Sequence, residues 1–375
     1  MKFLHLSDLH LGIRLMRRDL IPDQIHILDQ VTDFIRQNPV DAILISGDIY
    51  DSSIPPAEAV SILDRFISGL HKVSPSMEIC VISGNHDNPI RIDEFRSILS
   101  DSHIHMIGRP PGKPEDEIAS VTLHDEYGDV KIHMLPFVKP GMIRKAIGDD
   151  THSLSYTDAI QALLEKIRTE KDFDDARHIL MSHQFYIPAG HPEAIIRTDS
   201  ETIKIGNIDA ISADVLHSFD YVALGHIHNA AQVAPHIRYS GTPLAYSVSE
   251  ADVEKGMILV EIKEKGNIEE TFIPLTPLHK IEIRKGTLEE LISSPSEEYI
   301  VAVLTTAAGI DAVDRLQNAF PNLLEIHAEY ETKMDYTLDV NRPVLNPWDM
   351  CVSFLHDMTP EETEFLQSIF NEEEI

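Results

Sequence analysis

Five short apolar runs in this chain each stop at a residue with a metal-ligating side chain, and that repetition constrains the fold more than any other feature. Residues 2–7 lead to Asp8 and His10, residues 42–45 to Gly47-Asp48 and Asp51, Met77–Ser83 to Gly84-Asn85-His86-Asp87, residues 178–182 to His183, and residues 221–224 to Gly225-His226-Ile227-His228. Short apolar runs bounded by Gly and polar residues read as buried strands. In α/β sheets ligands gather beyond the carboxyl ends of the strands, so these ends place Asp, Asn and His around one crevice. Any single instance has a plainer reading, because a Gly-Asp pair also makes a turn. The repetition selects the ligand reading. Divalent ions accept imidazole nitrogen together with carboxylate or amide oxygen, and two ions about 3.5–4 Å apart need a carboxylate between them, the place predicted for Asp48.

The ordered set Asp-x-His, Gly-Asp-x-x-Asp, Gly-Asn-His-Asp, His-Gln and Gly-His-x-His resembles the calcineurin-like metallophosphoesterases. Ser7-Asp8-Leu9-His10-Leu11-Gly12, Gly47 to Asp51 followed by Pro55-Pro56, Ser182-His183-Gln184, Ala223 to His228 and Tyr239-Ser240-Gly241-Thr242-Pro243 resemble more narrowly the bacterial nuclease branch, over essentially the whole chain. The resemblance implies one ion on Asp8, His10, Asp48 and His228 and a second on Asp48, Asn85, His183 and His226, with manganese as the usual metal. It also implies that His86 is a catalytic histidine rather than a ligand. Where archaeal and eukaryotic nucleases carry His, this chain carries Asp51, as bacterial nucleases and metallophosphatases do; there the carboxylate pairs with the histidine matched to His86. A carboxylate beside an imidazole favours its charged form, so Asp51 is expected to keep His86 a proton donor, the other reading being a loop cap. In the chemistry that follows, a water made acidic by the ions attacks phosphorus in line, and His86 protonates the leaving sugar oxygen or holds the scissile phosphate.

Charge works against the simplest nucleic-acid reading. With 62 acidic and 31 basic residues the chain carries a net charge of −31, the wrong sign for a protein that grips DNA unaided. Two readings follow: an acidic solubility or salt-adapted surface with DNA held by a basic partner, or a substrate that is not a polynucleotide. Arg14, Arg17 and Arg18 follow the first ligand motif and Arg91 follows the third; they read either as backbone-phosphate contacts or as a solvated face. Cys80, in an apolar strand, reads as core, and with only Cys351 besides it the chain has no disulfide scaffold, which suits a reducing cytoplasm. No run of about 18 apolar residues suggests a membrane span, and the chain enters its first strand without a cleavable apolar leader.

Between the ligand strands, apolar residues at helical spacing predict surface helices over Asp23–Arg36 and Ala57–Leu70, so that strand, helix and loop alternate as βαβ units. A short helix is expected over Ile92–Leu99. His103 and His105 repeat a His-x-His spacing on a predicted strand, without a Gly or carboxylate at its end, and are read as decoys. Strands near 118–123 and 130–135 form a predicted hairpin, followed by helices near 142–147 and 156–169. The long connection 184–207 leaves directly from His183 and is expected to border a substrate groove. Further strands at 232–239, 256–262 and 271–275 are expected to build a second sheet packed on the first. The predicted fold is therefore α/β, two mixed β-sheets sandwiched between helices, the metallophosphoesterase arrangement that the resemblance implies.

After Pro277 the pattern becomes a small α/β unit, His279–Ile283, Thr287–Ile292, Tyr299–Thr305, Asp311–Phe320 and Leu323–Tyr330. The chain divides into 1–276, the catalytic domain; 277–340, a small α/β domain; and 341–375, a helical tail. In the family a capping domain that helps to hold DNA stands at the second of these, though an oligomerisation module fits the pattern equally. The amphipathic tail helix after Thr359-Pro360 packs on its own domain or docks on a partner. The resemblance implies docking on a coiled-coil ATPase of the SbcC type and a homodimer within a heterotetramer. The expected activity is manganese-dependent hydrolysis of DNA phosphodiesters, from duplex ends and on single strands or hairpins. A small-molecule or protein phosphoesterase and a metal-stabilised interaction subunit without catalysis are the alternatives.

Overall fold

The structure is a computed structural model, and it describes residues 1–149, 154–170, 173–188, 210–309, 311–329, 348, 351 and 359–372. The first half of the chain is a βαβ series: β1 (Lys2–Leu6), α1 (Ile21–Gln37), β2 (Ala42–Ser46), α2 (Ala57–Val73), β3 (Glu78–Ile82) and β4 (Ile104–Ile107). These four strands pair in parallel. Next come a hairpin of β5 (Ala119–Asp125) and β6 (Gly128–Leu135), helices α3 (Pro140–Ile147) and α4 (Tyr156–Arg168), and strands β7 (Arg177–Ser182), β8 (Tyr221–Leu224), β9 (Ala231–Ala234) and β10 (Ile237–Tyr239). Strands β11 (Gly256–Ile262) and β12 (Ile268–Pro274) follow.

Two six-stranded sheets result, in the orders β12-β11-β1-β2-β3-β4 and β9-β10-β8-β7-β6-β5. Alternation within each strand sorts its side chains into three apolar layers, since successive residues of a strand face opposite sides. In β2, Ala42 and Leu44 point between the sheets while Ile43 and Ile45 point under α1 and α2. In β8, Tyr221 and Ala223 point between the sheets while Val222 and Leu224 point toward α4. The architecture is thus two mixed sheets face to face with helices outside. Cys80 is buried in the middle layer, as its apolar setting predicts. His5, also buried there, bonds the Tyr221 hydroxyl at 2.9 Å and the Leu224 carbonyl at 3.1 Å, tying sheet to sheet. Burial, with a lesser push from Arg238, lowers its pKa to about 3, so it stays neutral.

Several local expectations are corrected. Strands β11 and β12 join the first sheet rather than the second, because β11 pairs antiparallel with the free edge of β1. Periodicity reveals a strand but not its neighbour. The stretch 232–239 is a hairpin, β9 and β10, turned at His236 with φ 59°. The helix expected over Ile92–Leu99 is broken into Pro89–Ile92 and Arg96–Leu99, with Phe95 between them at φ 57°. Between the two pieces Asp93 turns its carboxylate to the Gly108 amide, accepting from it at 2.7 Å. The decoy reading of His103 and His105 is not overturned: both bond Glu78, the first residue of β3, at 2.8 and 2.7 Å, and clamp β3 to the edge strand. Of the long connection, Tyr186–Ile187 pairs with Ile211–Ser212, and 189–209 lie outside the described residues.

The small unit is a three-stranded parallel sheet, β13 (Ile281–Gly286), β14 (Tyr299–Leu304) and β15 (Leu323–Ala328), with α5 (Leu288–Ile292) and α6 (Ala312–Ala319). Thr287 and Glu290 form a capping box at the start of α5. Ile281 and Tyr299 enter the same apolar cluster as α1, so the small unit is seated on the body through a shared core. By contacts Met1–Tyr330 form one compact unit and Glu331–Ile375 a second. Within the second, helix α7 (Pro360–Glu372) begins at Thr359, whose hydroxyl accepts from the Glu362 amide. Most of the tail before it lies outside the described residues, and so does the tail's docking. Among the described residues no helix is long and apolar enough to cross a membrane.

Candidate metal centre

Each of the five predicted strand ends delivers its residues to one place. Past β1 and β2 the two loops run side by side: the Asp8 amide donates to the Gly47 carbonyl, the His10 amide to the Asp48 carbonyl and the Leu11 amide to the Ile49 carbonyl, each at 2.9 Å. The chain reaches this geometry only through uncommon backbone angles. Asp8, His10, Asp48 and His226 have φ of 54°, 42°, 49° and 102°, a region that side-chain-bearing residues rarely occupy unless the surroundings impose it. Gly47, at φ 90°, must be glycine twice over, since a Cβ there would strike the His183 ring. At Gly84 a Cβ would strike Asp48.

The carboxylates and imidazoles converge. Asp8, His10 and His228 present one ligand atom each within 4.8 Å of one another, and so do Asp8, Asp48 and His183. Asp48 Oδ2 lies 3.6 Å from His10 Nε2 and 3.3 Å from His183 Nε2, while its Oδ1 accepts from the His86 amide at 2.9 Å. Asn85 Oδ1 sits 3.2 Å from His183 Nε2 and 2.8 Å from His226 Nδ1. His183 Nδ1 donates to the Ser46 carbonyl at 2.8 Å, which fixes the tautomer and leaves Nε2 to face the cluster.

These residues fit a pair of divalent ions. Both ring nitrogens of His10 are buried and make no well-formed hydrogen bond; each only faces a carboxylate, Nδ1 that of Asp51 at 3.4 Å and Nε2 that of Asp48 at 3.6 Å, an arrangement that suits an ion held between them. The donor set of imidazole, carboxylate and one amide oxygen suits such ions. Electrostatics point the same way. Burial disfavours charge on His183, yet Asp48 and Asp8 outweigh it and lift its pKa to about 9. Burial likewise opposes the Asp48 carboxylate, but His183 and His10 hold its pKa well below the carboxylate range. Burial raises the pKa of Asp8 and lowers that of His228.

Two of the sequence expectations change in detail. His86 Nδ1 donates to the main-chain carbonyl of Asp51 at 2.8 Å, while the Asp51 carboxylate lies 3.4 Å from His10 Nδ1. Asp51 thus meets His86 through its backbone, although His10, Asp51 and His86 also present ligand atoms within 4.8 Å of one another. Arg18 donates to the carbonyls of Pro321, at 2.6 Å, and Leu323, at 3.4 Å, so its guanidinium holds the small unit in place of a phosphate. Arg14 reaches back to the Arg17 carbonyl, and both are exposed, as is Arg91.

Supporting residues went unread in the sequence. Asp87, inside the third motif, accepts from the amides of Ile49, Tyr50 and Gly84 and so stitches two ligand loops together. Gln24 donates to the Leu9 and His10 carbonyls, and Tyr246 donates to Leu9 with its ring edge-on to His10. Lys255 donates to the His228 carbonyl at 3.0 Å. Only Gln24 left a signal: a polar residue on the face of α1 that its apolar period turns inward.

Two facing sheets whose strand ends carry this donor set define a metal-dependent hydrolase. The chain belongs to the calcineurin-like phosphoesterase family, whose sequence pattern matches residues 1–230. It is 29% identical over 334 residues, 87% of this chain and 85% of the relative, to the SbcD component of the nuclease SbcCD from Staphylococcus epidermidis. Among solved structures, a dimetal phosphatase from Danio rerio aligns with 74% of this chain and 99% of its own at 15% identity and a TM-score of 0.40. The NAD nucleotidase of Haemophilus influenzae aligns with 88% and 64% at 12% identity and a TM-score of 0.32.

Proposed function

We propose that the protein is a DNA nuclease that hydrolyses phosphodiester bonds with two divalent ions, manganese by preference. The observation that carries this reading is the placement of Asp48 Oδ2 between His10 Nε2 and His183 Nε2. One carboxylate oxygen faces the imidazoles of both halves, where a bridge is required. Asp8, His10 and His228 complete one ion's ligands, and Asn85, His183 and His226 the other's. When bound, the ions supply charge neutralisation for the phosphate oxygens and a water acidic enough to attack near neutral pH.

The chain's own residues do the rest. His86, half-buried beside Asn85, keeps Nδ1–H on the Asp51 carbonyl and offers Nε2 to the leaving oxygen, as a general acid in its charged form. The Asp48 carboxylate fixes the His86 main chain by accepting its amide. Arg14, Arg17 and Arg91 are assigned to backbone-phosphate contact.

The DNA substrate, both as duplex ends and as single strands or hairpins, is supported by the likeness to the staphylococcal nuclease component. The SbcC-type ATPase partner is suggested by the same likeness; a homodimer within a heterotetramer, a cytoplasmic place and a role in DNA repair, recombination and replication complete the proposal. In this reading 1–276 is the nuclease domain, 277–340 a capping domain and 341–375 the partner-binding segment. The net charge of −31 favours a second reading, a phosphoesterase for small molecules or proteins. End-labelled duplex DNA, single-stranded DNA and a simple phosphodiester, each incubated with manganese and with either the protein or Asp48→Asn, separate the two. DNA cleavage that vanishes in the variant supports the nuclease, and turnover of the simple ester alone, with or without an ATPase partner, supports the second.

A further inference from the structure

The small α/β unit contributes none of the metal-ligating residues, yet two side chains at its seat end on the main chain of the buried ligands. Asp23 and Gln24 are neighbours in the first turn of α1, and both are buried. Asp23 faces the small unit: one oxygen accepts from the His279 amide at 3.0 Å and lies 3.1 Å from its Nδ1, and the other accepts from the Tyr299 hydroxyl at 2.7 Å. Gln24 faces the metal centre and grips both ends of the ligand turn. Its Nε2 donates to the carbonyls of Leu9, at 3.2 Å, and His10, at 2.9 Å, and its Oε1 accepts from the Gly12 amide at 3.0 Å.

A second route reaches the other buried histidine. Lys255 Nζ donates to the His228 carbonyl at 3.0 Å and to Thr242 Oγ1 at 2.8 Å, and it pairs with Glu250 at 2.6 Å. Lys255 and Glu250 line, with His279 and Tyr299, a cleft of about 360 Å³ between the small unit and the body. The need for such supports is visible in the backbone. His10 sits at φ 42°, a conformation that persists only where neighbouring bonds over-determine it.

We propose that the small α/β unit positions the buried half of the metal centre: Tyr299 and His279 hold Asp23, the first turn of α1 moves as one piece, and Gln24 sets the main chain of His10. Asp23, Gln24 and Tyr299 are positioning residues, acting through His10 rather than on substrate. The inference rests on the two-ion reading above.

Manganese titration against a competing chelator tests it in the full chain, with circular dichroism to follow the fold. The unaltered protein should take up two ions. In an Asn85→Ala background, where one ion remains in the buried half, Tyr299→Phe should weaken that ion about threefold to tenfold, at or below the low end of the loss that follows removal of a group bonded directly to a ligand. In a His10→Ala background, where the open half reports, Tyr299→Phe should change affinity by less than about twofold. Gln24→Ala should reproduce the loss, and combining it with Tyr299→Phe should add nothing, a result that general loosening of the fold would not give. Uptake of two ions with no effect of Tyr299→Phe, or an equal effect in both backgrounds, overturns the positioning role alone. Uptake of fewer than two ions by the unaltered protein overturns the two-ion reading and this inference with it.

Discussion

Asp8, His10 and His228 lie 0%, 2% and 4% exposed at the floor of the crevice, whereas in the other half only His183 is buried, Asn85 being exposed and His226 half-buried. The two halves use similar residue types and share Asp48, but they solve different problems. In the floor, carboxylates and imidazoles have no water to lean on, so each must be neutralised by its neighbours and by whatever ion they hold. That half also carries most of the unusual backbone angles, and its ligands are braced from outside by Gln24, Tyr246 and Lys255. The rim, with His86 beside it, is where a phosphate can reach a ligand. In the proposed reading, a preformed floor and an accessible rim divide the work between stability and chemistry.

The sharpest way to break this division is at His86. In His86→Ala, hydrolysis should fall about 10²–10⁴-fold, the range for a general acid, while manganese content measured by elemental analysis stays unchanged. A variant that loses metal and activity together would make His86 part of the rim's ligand set instead. Next in size is a contrast in stability. In chelator, His10→Ala removes the imidazole that faces Asp8, Asp48 and Asp51 and should cost about 3 kcal/mol in urea unfolding. Asn85→Ala, exposed, should stay within about 0.5 kcal/mol. Equal costs would erase the distinction between floor and rim.

The smallest expected effect is on pH. The Asp48 and Asp8 carboxylates hold a proton on His183, with its pKa raised to about 9, and an ion must displace that proton. The charged form is full at neutral pH and is lost as pH rises through about 9, so metal affinity should climb by up to about tenfold per pH unit from 7 toward 9 and then level off. Calorimetry in buffers of different ionisation enthalpy would count the proton released; affinity flat across this window would mean that His183 is neutral before the ion arrives.

How much of this is legible in the sequence differs by residue. Asp8, His10, Asp48, Asn85, His183, His226 and His228 stand out because a ligand at a strand end is a local statement: an apolar run, a Gly where backbones touch, then a donor. Asp51 reads as a carboxylate partner for His86, and the structure turns its carboxylate to His10 and its carbonyl to His86. Arg18 reads as a phosphate contact or part of a solvated face and instead holds Pro321 and Leu323. In each case the residue type is right for its chemistry, but a donor or acceptor is claimed by whichever group lies nearest in space.

By itself, then, the sequence determined the alternation of strands and helices and the donor set at its strand ends, because unbroken apolar runs and glycine placement are properties of neighbouring residues; the two-sheet sandwich was implied by the family resemblance. Only the tertiary structure decided that β11 would close the first sheet against β1, that one half of the centre would be sealed and the other open, and that Gln24 would reach His10. Those outcomes depend on bonds between residues far apart in the chain, such as Tyr299 to Asp23 across 276 positions, and a linear pattern carries no record of such distances.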